Sequence, residues 1–161
     1  MKVAIVHDYI KEYGGAERVL EALHEIWPEA TVFTSVYLPE YLGPHKERFK
    51  NWKIVTSIFQ NVPFIAKLIS PLRIFSPRIF ENFNFSEYDL IIISATGAYF
   101  PNLIIRKTKT KHITYCHTPP RYLYGYKTAR NWKKHWWGRM LGNWFNRGLR
   151  EYDFLSYQRP D

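Results

Sequence analysis

Cysteine is nearly absent from this chain, with Cys116 the sole example. One thiol cannot form an intramolecular disulfide framework, and it excludes any multi-cysteine zinc or iron–sulfur site, so a reducing compartment is expected. Long apolar runs are also missing. The longest stretch without a charged side chain is Leu90–Ile105, and Gly97, Pro101 and Asn102 interrupt it. It is too short and too broken to span a bilayer, and no signal-peptide pattern precedes the first strand-like run. Neither an internal repeat nor a low-complexity linker is found. The H-E-x-x-H, G-x-S-x-G and P-loop patterns are absent, as is the G-x-G-x-x-G spacing of dinucleotide-binding dehydrogenases. Acidic residues are missing from residues 90–150, a block that holds 12 basic side chains.

What is present describes one soluble globular domain. The chain has 161 residues, 46% hydrophobic and 23% charged, enough for one core and too few for two ordinary domains. Residues 1–89 carry a net charge of −1, residues 90–150 a net of +12, and residues 151–161 a net of −2. The whole excess of +9 thus lies in one block. Such segregation suits an anionic partner, whether a phosphate-bearing substrate, a lipid surface or a nucleic acid; a merely solvated basic surface is the alternative.

The local patterns alternate between strand and helix. Val3-Ala4-Ile5-Val6 within Lys2–Asp8 reads as a buried parallel strand. After Gly14-Gly15, the residues Ala16, Val19, Leu20, Leu23, Ile26 and Trp27 recur at helical spacing, and Pro28 ends the helix. Thr31–Val36, Ile54–Ser57, Leu90–Ile93 and His112–Cys116 read as further strands. This order predicts an α/β fold, a Rossmann-like open and mainly parallel sheet flanked by helices. Ile58–Phe85 is aromatic and aliphatic, cut by Pro63, Pro71 and Pro77 and interspersed with Lys67, Arg73 and Arg78. It reads either as short helices packed over the sheet or as a membrane- or acceptor-facing insertion. Asn131–Arg150 reads as a long helix with Trp132, Trp136, Met140 and Trp144 in one row and Trp137, Leu141 and Phe145 in the next, although Gly138, Gly142 and Gly148 argue for an interruption.

Two junctions carry candidate chemistry. Gly14-Gly15-Ala16-Glu17 opens the first helix, where free N–H groups attract phosphate; alternatively the glycines only make a tight turn and Glu17 complements the helix dipole. Tyr115-Cys116-His117-Thr118-Pro119-Pro120-Arg121 ends a strand with His117, offers Thr118 as a helix cap before two prolines, and places Arg121 to add charge to a shared anion site. Both junctions fall at the carboxyl edge of a parallel sheet, where ligands bind in open α/β folds. His7 and Asp8 are adjacent on a strand and diverge, so they cannot chelate one metal ion together, and Cys116 and His117 diverge for the same reason.

The ordered set Lys2–Tyr9, Gly14-Gly15-Ala16-Glu17-Arg18-Val19-Leu20, Thr31–Thr34 and Tyr115–Tyr124 resembles the family 4, or group 1, glycosyltransferases, and the resemblance covers essentially the whole chain. It implies the amino-terminal, acceptor-side half of a GT-B fold, retention of anomeric configuration and a nucleotide-diphosphate-sugar donor, with no metal and no separate cofactor. It also implies roles: His117 as the catalytic contact to the transferred sugar or its phosphate, Gly14 and Gly15 approaching the donor phosphates, and Asp8 and Tyr9 bordering the acceptor pocket. Thr118 and Arg121 join the phosphate-binding set. Where many relatives carry a further histidine, this chain reads Ser94-Ala95-Thr96-Gly97. Residues 1–161 would form this acceptor-side domain without its last strand and without the donor-binding domain. The paired glutamates of that domain are not represented by Glu17 and Glu25, which lie in the first helix. The expected partners are a nucleotide-sugar, bound weakly if at all without the second domain, a glycan or lipid-linked acceptor, an anionic membrane surface and a separate donor-binding chain. The expected location is cytoplasmic, peripheral on the inner membrane face. A basic nucleic-acid-binding or scaffolding module is the rival reading.

Overall fold

The computed structural model describes residues 1–126 and 146–161 in full, together with the backbone of residues 136–145. Strands β1 (Val3–His7), β2 (Thr31–Thr34), β3 (Lys53–Thr56), β4 (Leu90–Ala95) and β5 (Lys111–Cys116) form one sheet in the order β3-β2-β1-β4-β5. Every pairing is parallel, so the expected Rossmann-like architecture is present. The register sets Val6 opposite Phe33 on one side and Ile93 on the other.

Burial on both faces explains the uninterrupted apolar runs of the central strands. Alternate residues serve opposite layers. Ala4, Val6, Phe33, Ile91 and Ile93 pack on one face with Ile65, Ile69, Ile79 and Phe80. Val3, Ile5, Val32, Leu90 and Ile92 pack on the other with Leu20 and Phe49. Full burial of a side chain such as Ile5 or Ile93 contributes about 1.5–3 kcal/mol.

Helix α1 (Gly15–Ile26) turns Leu20 into the second layer, with Leu23 and Trp27 packed partly against it. The Trp27 N–H closes the last turn onto Leu23 O at 3.1 Å, and Pro28 stops further winding. The Ile58–Phe85 segment matches the reading of short helices packed over the sheet. Helices α2 (Ile65–Leu72) and α3 (Ser76–Glu81) bury Ile65, Ile69, Ile79 and Phe80 against the sheet. The outer side of the same segment leaves Ile58, Phe64, Ile74 and Phe75 exposed.

Helix α4 covers Trp136–Ser156, so it runs six residues past the Arg150 boundary read from the sequence and continues unbroken through Gly138, Gly142 and Gly148. Its described end packs Leu149 against Phe100, Leu103, Tyr122 and Leu123. The side chains of the tryptophan rows and the expected start at Asn131 lie outside what the structure describes. Thr118 requires a correction as a helix cap, because no helix follows it directly. Residues 121–125 form turns, in which Leu123 N donates to Pro120 O and Tyr126 N to Arg121 O, and the Thr118 hydroxyl is committed to Thr96 O.

Candidate functional site

The strand order reverses direction between β1 and β4. In an open parallel sheet the loops diverge there and leave a crevice at the carboxyl ends. His7 ends β1, its register partner Ser94 lies in β4, and His117 directly follows β5.

These three side chains are joined. His7 Nδ1 lies 3.0 Å from Ser94 Oγ, and Ser94 Oγ lies 2.9 Å from His117 Nε2. At the far end, Glu17 Oε1 is 3.7 Å from His7 Nε2, a charge contact longer than a hydrogen bond. With both imidazoles neutral, one proton pattern satisfies the whole array. A serine hydroxyl has one proton, so it donates to one imidazole and accepts from the other. The Glu17 carboxylate favours an N–H on His7 Nε2, which leaves His7 Nδ1 as the acceptor for the Ser94 proton. Ser94 then accepts from His117 Nε2–H. His117 Nδ1 is thereby left with a free lone pair, and it has no partner among the described residues.

The surroundings support this pattern. Burial alone would push the Glu17 carboxyl pKa up, but His7 and the Gly14 N–H, which donates to Glu17 Oε2 at 2.9 Å, outweigh it and hold the pKa below the usual range. Burial pushes the His117 pKa down and the nearby His7 adds to this, against a smaller opposing pull from Glu17. A neutral His117 with an acceptor nitrogen is therefore the resting form at neutral pH.

Asp8 turns away from His7, as adjacent strand residues must. Its side chain is fully buried, with Oδ2 accepting from the Thr96 hydroxyl at 2.5 Å and from the Ala98 and Tyr99 N–H groups at 3.0 and 3.2 Å. Desolvation raises its pKa, while His7 and these donors pull it back. Asp8 thus fastens the loop after β4. Tyr9 lies beside it, edge-on to Tyr99 with centroids 5.9 Å apart.

The loop after β4 meets the loop after β5 at Gly97. A Cβ there would stand 2.4 Å from Thr118 O, and φ is +81°, so glycine alone fits both the approach and the conformation. His117 N also donates to Ala95 O at 2.9 Å, which holds the histidine against the end of β4.

The glycine loop is arranged differently from the phosphate cradle read in the sequence. Gly14 has an extended backbone and its N–H is taken by Glu17; Gly15 is exposed, with open space where a Cβ would stand. A phosphate therefore has access at Gly15, while the protein's own carboxylate occupies Gly14. Arg121 is exposed and its side chain joins none of the bonds of the array among the described residues. Among the described residues no group of three or more His, Cys, Asp or Glu side chains is placed to hold a metal ion.

Ser94 and Glu17 carry the site, yet sequence reading gave Ser94 no role and Glu17 only a dipole role. The signal for Ser94 was its register: pairing the ends of β1 and β4 puts it beside His7. Cys116 contacts the Tyr157 hydroxyl at 3.0 Å instead of His117, as the divergence argument required.

A parallel sheet of this order, with polar side chains gathered at the switch-point edge, is a Rossmann-like domain. Residues 13–154 match the family model described as Glycosyltransferase Family 4. The chain belongs to glycosyltransferase family 4, of which it is an amino-terminal domain. No curated protein and no solved structure matches it.

Proposed function

We propose that this chain is the acceptor-side domain of a retaining glycosyltransferase, which moves a sugar from a nucleotide-diphosphate-sugar to a glycan or lipid-linked acceptor and has no turnover alone. The observation that carries this reading is the Glu17–His7–Ser94–His117 array at the switch point. His117 Nδ1 accepts a hydrogen bond from a hydroxyl of the transferring sugar and orients it, and the array behind it fixes the ring and its tautomer. Positive charge developing on His117 would be relayed towards the Glu17 carboxylate. The start of α1 faces the donor phosphates through the open N–H at Gly15, and Thr118 and Arg121 border the same region. Tyr9 walls the acceptor side, and Asp8 shapes it by fixing the Thr96–Tyr99 loop.

The acceptor is presented at a membrane surface. Ile58 and Phe64 are 78% and 80% exposed, Ile74 and Phe75 lie close by in sequence, and Lys67 and Arg78 are exposed among them. Residues 48–80 contain six basic and no acidic side chains. Apolar tips interleaved with cations suit an anionic lipid surface. No helix among the described residues is long and apolar enough to cross a membrane, so the association in this reading is peripheral.

The test is an incubation of the chain with labelled nucleotide-diphosphate-sugars and membrane acceptors. The expected result is no transfer. Steady turnover by the chain alone would sink the half-enzyme part of the reading.

A further inference from the structure

Arg73, between α2 and α3, is not used by the array described above. Its guanidinium lies over the ring of Tyr122, with Cζ 4.1 Å from the centroid. Among the described residues its buried Nε has no hydrogen-bond partner, and neither has the buried Tyr122 hydroxyl, in a residue only 7% exposed. Arg73 forms no ion pair among the described residues.

Two orphaned donors in one contact are unusual, because each buried unsatisfied group costs about 1–3 kcal/mol. Neighbouring hydroxyls do not relieve them. The Tyr99 hydroxyl is committed to Ile69 O at 2.6 Å. The charge of Arg73 acts on Tyr9, Tyr99 and Tyr122 together, so this cation sits among the residues that wall the acceptor side. The one carboxylate acting on all three tyrosines, Asp8, is already held by Thr96, Ala98 and Tyr99. A guanidinium with one face covered by a ring keeps its edge donors for an oxyanion, and a tyrosine O–H at the rim of that ring adds another.

We propose that Arg73 and the Tyr122 hydroxyl form a subsite for a phosphate group on the acceptor. This deepens the acceptor-side reading and rests on it for the identity of the ligand, but not for the binding itself. The phosphate is supplied either by a lipid-linked acceptor or by a soluble phosphorylated one.

Arginine Nε–H resonances of the whole chain test this directly. The Arg73 signal is assigned by its loss in Arg73→Gln, and the chain is titrated separately with inorganic phosphate, octyl phosphate and octyl glucoside. The proposal predicts a saturable shift of the Arg73 signal with octyl phosphate and none with octyl glucoside, while Arg48, paired with Glu21, stays still. An equal response to inorganic phosphate would identify the phosphate alone as sufficient, and a response confined to octyl phosphate would identify a lipid-linked source. Tyr122→Phe keeps the ring under Arg73 and removes only the O–H, so it is expected to weaken binding about tenfold without lowering stability. The proposal is overturned if the Arg73 signal moves no more than that of Arg48, or if octyl glucoside moves it equally. Since the readout is binding, its failure leaves the transferase reading standing, and a failure of transfer leaves this subsite standing.

Discussion

His117 and His7 share one serine, so a charge on either acts on the other. His7 depresses the His117 pKa. Replacing His7 with Gln is expected to raise it towards the ordinary histidine value, as read by NMR titration of the ring protons; an unchanged or lower value would remove His7 from the array. Ser94→Ala strands two ring nitrogens and is expected to cost about 1–3 kcal/mol in a denaturant titration. A different histidine governs acid stability. His112 is buried, with Nε2 3.2 Å from Asn102 Oδ1, and its pKa is pushed down to about 4 by burial and by Arg106, against an opposing pull from Asp161. The unfolded chain therefore binds this proton at a higher pH than the folded one. Stability due to neutral His112 is complete above the ordinary histidine pKa and is lost as pH falls from there towards about 4. The slope is at most about 1.4 kcal/mol per pH unit. His112→Gln should flatten this part of the stability profile, and an unaltered slope would refute the assignment. At this scale the sequence marked His117 as a candidate through its place after a strand. It did not reveal the acceptor nitrogen of His117, since that follows from an array in which His7 and Ser94 are 87 residues apart and Ser94 and His117 are 23 apart, brought together only by the register.

The elements of the carboxyl edge depend on a few backbone positions. Gly97 joins the loops after β4 and β5, and Gly97→Ala combines a disfavoured φ with a contact to Thr118 O. A loss of about 3 kcal/mol or more is expected in thermal or denaturant unfolding; a neutral result would mean that the two loops are not packed as described. Phe64 holds φ +58° while its ring is 80% exposed, so the fold bears a strained backbone there without burying the side chain. Phe64→Gly is expected to leave stability unchanged or up to about 1 kcal/mol higher. Its sedimentation with phosphatidylglycerol vesicles should weaken about tenfold, in keeping with the loss of one inserted aromatic side chain. Equal sedimentation of both proteins would detach Phe64 from the membrane reading. The strands were legible because parallel central strands must be apolar on both faces, and α1 because its apolar stripe ends at a proline. The junction after β5 was not legible. Thr118 followed by two prolines has the composition of a helix start, but its hydroxyl is taken by Thr96 O, and Gly125 at φ +79° belongs to a turn.

Across the whole molecule, one sheet sorts the chemistry between its two edges. The carboxyl edge gathers Glu17, His7, Ser94 and His117, with the α2–α3 segment and Arg73 adjoining it through the tyrosines. Several described members of the basic block from residue 90 to residue 150 lie away from that edge. Lys107, Lys109 and Lys111 precede or begin β5 at the opposite edge, Arg106 pairs with Asp161 at 3.2 Å, and Arg150 Nε is spent on Leu123 O at 2.7 Å. Net charge read from the sequence does not place an anionic partner, because counts carry no direction in space. The resemblance in the sequence and the family model agree on family 4, whereas the candidate site residues were separated from their neighbours only by the fold. The central claim is that His117, held by the Ser94 bridge, touches the transferring sugar. The most direct measurement is sugar transfer by the chain joined to a family 4 donor-binding domain, comparing wild type with His117→Ala at matched thermal stability. A fall in kcat of about 100-fold or more is expected, as for loss of a positioned polar contact to the reacting group. Full activity in His117→Ala would contradict it.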